Sequence, residues 1–173
     1  KPVVVTASSP TVFYGASTPT VTPLYSNDFV YGETSTVVSN TACSTVYAVT
    51  SNVGSAPATS CSGATASNYS FTYVDGSVNV QKKTLTVTAS SPSATYGVAA
   101  NTISVTPMYS DWANSDTSSV IDTAPTCTTA YTNTSAVGSA PYTRCSGGSD
   151  NNYSFSFVDG AVLVGTATVT ITA

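Results

Sequence analysis

The chain of 173 residues contains no histidine and little charge, with four Lys or Arg, eight Asp or Glu, and 7% charged residues in all. Without histidine, a Ser-His-Asp triad cannot form. Nucleic-acid phosphates are neutralised by Lys and Arg, so the net charge of −4 argues against a nucleic-acid partner. No apolar run approaches the roughly 18 residues of a membrane-spanning helix, so we expect no membrane insertion of this segment.

What the chain does contain is a near-complete internal repeat. Residues 5–10 (VTASSP) return 82 positions later, and residues 53–57 (VGSAP) return 84 positions later. A period of this length is that of a small domain, so we predict two tandem units, residues 1–83 and residues 84–167. Spacers and multivalent binders are made by copying a module, whereas an active site is normally single. The repeat itself therefore disfavours an enzyme.

The opening strand of the unit occurs a third time, at residues 168–173 (TVTITA), which align with residues 84–89 (TLTVTA). Two interpretations stay open. The segment is either the first strand of a further repeat in a longer array, or a closing or donor strand that adds to the open sheet edge of a neighbouring molecule. The candidate donor residues are Thr168, Val169, Thr170 and Ile171.

Four cysteines recur at the same place in both repeats. Cys43 and Cys61 return as Cys127 and Cys145, with seventeen residues between the members of each pair. One pair in each small, weakly charged repeat predicts one disulfide per repeat, which would stabilise it by about 3 kcal/mol. A metal site explains the cysteines less well, since neither a CxxC motif nor a histidine is present. The disulfides imply an oxidising, extracellular compartment.

The periodic segments are those of an all-β protein, rich in residues that suit a pleated, half-buried surface. Residues 3–7 alternate as a strand, and residues 32–38 and 115–121 are each compatible with one short helical turn. Residues 69–80 and 153–164 surround an Asp-Gly dipeptide with alternating apolar residues, which predicts a β-hairpin. The expected fold is two tandem β-sandwich or β-grasp-like repeats, each with at most one short helical turn and one disulfide.

The order of these short motifs resembles the MBG domain, YGX type, a repeat of large bacterial surface proteins. The dipeptides Tyr14-Gly15 and Tyr96-Gly97 match its signature, and residues 85–89 (LTVTA) match one of its strands. Further matches are the two VGSAP runs and the NYSF runs at residues 68–71 and 152–155. The family pattern often has a tyrosine after Val-Gly, where this chain has serine in both repeats. The resemblance implies a stalk or adhesive segment and carries over no catalytic residue.

The charged side chains form no convincing reaction centre. Glu33 and Asp116 are equivalent carboxylates beside the predicted helical turns, and calcium would take such ligands together with backbone carbonyls. No DxDxDG run occurs, so surface carboxylates or helix N-terminal acids are the plainer explanation. Lys82 and Lys83 have no counterpart in the second repeat, which disfavours a lysine crosslink in each unit. We expect a protein that is not an enzyme and that uses no cofactor and no metal.

Aromatic residues recur in one polar loop region, as Tyr25 and Phe29 in the first repeat and as Tyr109 and Trp112 in the second. These four residues are candidate contacts for a host or environmental glycan or a protein partner. Trp112, the only tryptophan, aligns with Asp28 in the linear sequence. The alternative is that Trp112 folds back over the sheet, and the presence of Phe29 at the neighbouring position favours such a packing role.

Three asparagines are candidate glycosylation sites because each begins an N-x-Ser/Thr sequon: Asn68, Asn133 and Asn152. Asn68 and Asn152 are equivalent in the two repeats, and a turn asparagine ahead of a strand explains both equally well.

Together these features predict a non-enzymatic extracellular repeat module, a stalk or adhesive segment of a bacterial adhesin that is secreted or held at the cell surface. Its nearest partners would be neighbouring repeats of the same protein. The alternative function is a self-assembling, pilus-like filament subunit, joined to the next subunit by donation of residues 168–173. The first hypothesis predicts a monomer that melts at a lower temperature when reduced. The second predicts polymers and a unit that lacks one strand.

Overall fold

The structure, a computed structural model, describes residues 1–172 and divides into two units, the first from Lys1 to Lys83 and the second beginning at Thr84. The strands of unit 1 are β1 (Pro2–Ala7), β2 (Thr11–Phe13), β3 (Pro23–Tyr25), β4 (Ala42–Thr45), β5 (Ala58–Ser62), β6 (Ser70–Val74), β7 (Gly76–Ser77) and β8 (Asn79–Gln81). The strands of unit 2 are β9 (Lys83–Ala89), β10 (Ser93–Thr95), β11 (Pro107–Ser110), β12 (Thr126–Thr129), β13 (Tyr142–Ser146), β14 (Tyr153–Val158), β15 (Gly160–Ala161) and β16 (Leu163–Gly165). Within residues 1–172, no helix is long and apolar enough to cross a membrane.

The first strand of each unit is the centre of its main sheet. In unit 1, β1 pairs antiparallel with β3 and parallel with β6, and in unit 2, β9 lies between β11 and β14. The predicted alternation is present, since Val3 and Val5, like Leu85 and Val87, are fully buried. An immunoglobulin-like sandwich is built from antiparallel sheets. The sheet around β1 is instead mixed, because its pairing with β6 is parallel.

Two smaller sheets complete each unit. In unit 1, β5 lies between β4 and β7 in an antiparallel sheet, and β2 pairs in parallel with β8. In unit 2, β13 lies between β12 and β15, and β10 pairs in parallel with β16. Val78 and Val80 in unit 1, and Val162 and Val164 in unit 2, are buried. The last strand of each unit is thus packed into the interior and paired with a strand from near the start of that unit.

The hairpins predicted around Asp-Gly do not form. β6 pairs with β1, whereas β7 pairs with β5, so the chain changes sheets at Asp75 and Gly76. Neither residue has the positive φ that a two-residue type I′ hairpin turn requires. Gly76 is needed for space instead, because an added Cβ would lie 2.5 Å from the Ala7 carbonyl oxygen and 2.7 Å from Thr59 Oγ1. Unit 2 repeats the crossing at Gly160, since β14 and β15 belong to different sheets.

Single 3₁₀ turns lie within both segments predicted to be helical, at Ser35–Val37 and Ser118–Val120. Unit 2 has a second turn, Ala100–Thr102, one more than the sequence analysis expected for a repeat. In unit 1, the position equivalent to Ala100 is Thr18, which precedes Pro19. A residue before proline is disfavoured in the helical region, so the turn is suited to unit 2 alone.

Candidate functional site

Each unit contains one disulfide between adjacent antiparallel strands. Cys43 in β4 lies directly opposite Cys61 in β5, and Cys127 in β12 lies opposite Cys145 in β13. These are the pairs that the repeated spacing predicted. Cys61 and Cys145 are buried, while their partners are half-buried.

The disulfide is part of the hydrophobic core. In unit 1, Cys61 packs against Val5 and Ala7 of the central strand. In unit 2, Cys145 packs against Val87 and Ala89. The bond therefore holds the β4–β5 pair in register at the point where this pair meets the main sheet, and the second unit repeats the arrangement.

In unit 1, the candidate contact residue Phe29 lies between two tyrosines, Tyr25 of β3 and Tyr69 just before β6. The ring centroids of Phe29 and Tyr69 are 5.2 Å apart, and those of Tyr25 and Phe29 are 6.4 Å apart, both edge to face. The Tyr69 hydroxyl accepts a hydrogen bond from the Val30 amide at 3.1 Å and donates one to Glu33 Oε2 at 2.6 Å. The bond to the Glu33 carboxylate raises the pKa of Tyr69.

Unit 2 builds the same cluster around tryptophan. The Trp112 ring centroid lies 5.5 Å from that of Tyr109 and 5.4 Å from that of Tyr153, and the rings of Trp112 and Tyr153 are nearly perpendicular. The Tyr153 hydroxyl accepts from the Ala113 amide at 2.9 Å and donates to Asp116 Oδ2 at 2.7 Å. Burial raises the pKa of Tyr109. The loop that carries Trp112 is thus fastened to β14.

Phe29 and Trp112 are equivalent in the structure, since each is the middle ring of its cluster. The linear alignment of Trp112 with Asp28 does not hold, because the loop of unit 1 is one residue longer. The four candidate residues predicted from the sequence do not include Tyr69 and Tyr153. The available signal was the NYSF motif, which contains both tyrosines and occurs once in each unit.

The clusters offer ring surface beside polar groups. Tyr25, Phe29 and Trp112 are each partly exposed. In unit 1, Tyr25 and Phe29 line an open hollow of about 360 Å³ together with Ser26 and Asn27. A partly exposed aromatic ring with hydroxyl and amide groups at its edge can stack on one face of a sugar and hydrogen-bond its hydroxyls.

Glu33 and Asp116, the calcium candidates, and a third carboxylate, that of Asp159, have protein partners. Glu33 and Asp116 accept the tyrosine hydrogen bonds of the two clusters. Asp159 accepts from Arg144, with Nη2 at 2.7 Å from Oδ2, and this contact lowers the pKa of Asp159 and raises that of Arg144. Among residues 1–172, no three His, Cys, Asp or Glu side chains lie close enough together to hold a metal ion.

Among the other candidate residues, Asn68 and Asn152 directly precede the cluster tyrosines Tyr69 and Tyr153. Asn133 and Asn68 are exposed, and Asn152 is half-buried. Val169 and Ile171 are 83% and 91% exposed, and residues 166–172 lie outside the strands. Ala173, the last residue of the segment predicted to be a strand, lies outside the described residues.

A tyrosine–glycine dipeptide directly follows the second strand of each unit. Gly15 has φ of 78°, a conformation that other residues adopt only with strain, and the amide of Tyr14 donates to the Gln81 carbonyl oxygen at 2.8 Å. In unit 2, Gly97 has φ of 88°, and the Tyr96 amide likewise donates to the last strand. The dipeptide thus turns the chain and joins the second strand to the last one.

The sequence matches the family model of the MBG domain (YGX type) twice, over residues 3–79 and residues 85–163. The chain belongs to this family. MBG repeats are common in extracellular surface proteins, where they are structural modules rather than enzymes, and the two disulfides agree with such a setting. No curated protein and no solved structure matches the chain.

Proposed function

We propose that this chain is a stalk or adhesive segment of a bacterial surface adhesin. The observation that carries the proposal is the duplication of a whole MBG unit, each copy with its own buried core and its own disulfide. Copies of a self-contained module lengthen a spacer or multiply a contact without new chemistry. The disulfides suit such a module to an oxidising environment outside the cell.

The surface location is tested with antibodies raised against the purified chain. We expect these antibodies to label intact cells of the organism that encodes the chain, and we expect external protease to remove the label. An antibody against a cytoplasmic protein serves as the control for cell integrity. Labelling that appears only after the cells are made permeable would contradict the proposal.

An adhesive role is supported by the two aromatic clusters, because Phe29 and Trp112 present partly exposed rings on fastened loops. We expect the chain to bind a glycan by ring stacking, and Trp112→Ala to weaken binding by at least about tenfold. Trp112→Phe is the matched control, since it keeps an aromatic ring at that position. Binding of the parent and both variants is measured on a glycan array, and near-ultraviolet circular dichroism checks that each variant folds. Absence of glycan binding would leave either a spacer or a segment that adheres to a protein.

Sugars can also be attached to this surface covalently, by glycosylation of the chain itself. Asn68 and Asn133 are exposed sequon asparagines, and we propose them as acceptors ahead of the half-buried Asn152. Mass spectrometry of the protein isolated from its own organism tests this, with Asn68→Gln and Asn133→Gln as the variants that remove the acceptors. An unmodified native protein would show that these asparagines serve only as turn residues.

The filament alternative is favoured by one observation, the exposure of Val169 and Ile171. Their equivalents in unit 2, Leu85 and Val87, are fully buried, so the terminal segment carries a strand pattern without a sheet around it. Against strand donation, the equivalent position in each unit is already filled, by β1 and by β9. Light scattering decides: polymers that disappear when residues 166–173 are deleted would support donation, and a monomeric full-length chain would support the stalk.

A further inference from the structure

We propose that each MBG unit is built to bear tension applied between its two ends, and that parallel strand pairs carry the load. The inference rests on the proposed function, since a surface segment that joins a cell to a target is pulled from both ends. In unit 1, β1 pairs in parallel with β6, with Val4 opposite Thr72. β2 pairs in parallel with β8, with Val12 opposite Val80.

The parallel pairing determines how tension acts on the hydrogen bonds. A pull on the start of the unit draws β1 and β2 towards their N-terminal ends. A pull on the end of the unit draws β6 and β8 towards their C-terminal ends. Because the paired strands run in the same direction, the opposed pulls slide them past each other, and the hydrogen bonds between them are loaded together. A hairpin pulled at its open ends loses its bonds one after another and resists less.

Further bonds extend the pairing of β2 with β8 at both ends. The Asn79 amide donates to the Pro10 carbonyl oxygen at 2.9 Å, and the Tyr14 amide donates to the Gln81 carbonyl oxygen at 2.8 Å. Val80, near the middle of this pair, is 3% exposed. Burial keeps water from replacing the strand hydrogen bonds as they stretch, because water reaches them only after the side chains separate.

Unit 2 repeats the pairing of the second strand with the last one. β10 pairs in parallel with β16, with Ala94 opposite Val164. The Leu163 amide donates to the Pro92 carbonyl oxygen at 3.0 Å, and the Tyr96 amide donates to Gly165 at 2.9 Å. The signature tyrosine of the family therefore contributes its backbone to the load-bearing pair in both units.

The disulfide lies between the load-bearing strands in the sequence and limits how far an opened unit can lengthen. Cys43 and Cys61 are 18 positions apart, and tension passes through their bond instead of through the chain between them. At roughly 3.4 Å per extended residue, an oxidised unit lengthens by about 60 Å less than a reduced one. The enclosed loop stays closed and holds β4 and β5 in register for refolding.

The test is to stretch the full chain between handles at its two ends in a single-molecule force instrument. We expect two unfolding events, one per unit, and we expect reduction to lengthen each by about 60 Å. Asn79→Pro removes the amide that bonds Pro10 in the load-bearing pair. Val46→Pro is the matched control, since the Val46 amide donates to the Ala58 carbonyl oxygen at 3.1 Å inside the disulfide-closed loop.

We expect Asn79→Pro to lower the force of one event by at least about half while the event of unit 2 stays unchanged. We expect Val46→Pro to leave both forces near those of the parent. Equal forces for the parent and Asn79→Pro, or an equal loss in Val46→Pro, would overturn the proposal. If Asn79→Pro does not fold, Val80→Ala in the same strand replaces it, with the same expected outcome.

This test separates the inference from the function on which it rests. Units that resist force in a chain that never reaches the cell surface would overturn the surface proposal and leave the mechanical one standing. If the chain is exposed at the cell surface but the parent's units unfold at the same force as the Asn79→Pro variant, the mechanical inference is overturned and the surface proposal stands.

Discussion

The hydroxyl of Tyr153 donates a hydrogen bond to Asp116 Oδ2 at 2.7 Å and accepts one from the Ala113 amide at 2.9 Å. Tyr69 and Glu33 form the corresponding contact in unit 1. In both units a phenol at the start of a strand therefore fixes the loop that carries the middle aromatic ring. The ring is presented by a fastened loop, which reduces the entropy that binding a partner would cost.

The loop in unit 2 needs this anchor because its backbone is strained. Asp111, Asn114 and Ser115 have φ of 73°, 51° and 65°, in the left-handed region that favours glycine. Each such residue costs on the order of 1 kcal/mol. The hydrogen bonds of Tyr153 and its contact with Trp112 help to offset that cost.

Tyr153→Phe should lower the unfolding free energy of unit 2 by about 1–2 kcal/mol, because Asp116 and the Ala113 amide both lose this partner. Urea titration followed by tryptophan fluorescence measures the change. Trp112 is the only tryptophan, so the signal reports on unit 2. Tyr69→Phe is the control and should leave the fluorescence transition where it is. A transition of Tyr153→Phe that coincides with the parent's would contradict the anchoring role.

Removal of the second disulfide by Cys127→Ala with Cys145→Ala should lower the unfolding free energy of unit 2 by about 3 kcal/mol, since the unfolded chain regains the freedom of the closed loop. Thermal melting followed by Trp112 fluorescence should show the loss. Removing Cys43 and Cys61 in the same way should leave this signal unchanged and shift only a calorimetric transition assigned to unit 1. A parent chain whose melting is unaffected by dithiothreitol would refute the stabilising role of both bonds.

Gly160→Ala should destabilise unit 2 by at least about 2 kcal/mol, because the new Cβ meets the Ala89 carbonyl oxygen and lies 2.6 Å from Thr143 Oγ1. Gly165→Ala is the matched control, since the nearest atom there, the Ala94 carbonyl oxygen, is 3.9 Å away. We expect the control to stay within about 1 kcal/mol of the parent. Urea titration by fluorescence compares the two, and equal midpoints would show that the crossing tolerates a side chain.

Alkaline pH should weaken unit 1 through Tyr69. The bond to the Glu33 carboxylate raises the pKa of Tyr69 above its ordinary value of about 10, so the folded state holds this proton more tightly than the unfolded state. The resulting stabilisation is complete below pH about 10 and is lost as pH rises through the folded pKa. Calorimetry of the parent and Tyr69→Phe should therefore give a difference in melting temperature that is constant below pH about 10 and shrinks as the pH rises above it. A constant difference would mean that Tyr69 titrates normally.

The features that the sequence predicted correctly are those that depend on residues close together in the chain or on a spacing that recurs in both repeats. Val3 and Val5 alternate with less buried neighbours because β1 presents one face to the core, and that alternation is visible in the chain itself. Cys43 and Cys61 were paired correctly because the same spacing recurs in the second repeat. The hairpin predicted from Asp-Gly is absent because packing determines the partners of β6 and β7. Gly76 is glycine because a side chain would not fit there, and in the sequence this cannot be told from a glycine required by a turn.

The candidate site was predicted in part for the same reason. Tyr25 and Phe29 are four positions apart, so the sequence places them in one region. Tyr69 and the Glu33 carboxylate it bonds are 36 positions apart, and no local pattern links them. The unit must fold before a tyrosine next to β6 reaches the loop after β3.

The Cys43–Cys61 bond also affects how far the loop between its two cysteines can vary in length. Residues 46–57 lie outside the strands, and the exposed Gly54 and Ala56 turn the chain with positive φ. Because the bond holds the base of this loop closed, extra residues at its tip need not be ordered for β4 and β5 to stay paired. Each MBG unit thus contains a position where natural insertion, or a designed graft, can add a new recognition peptide to an unchanged scaffold.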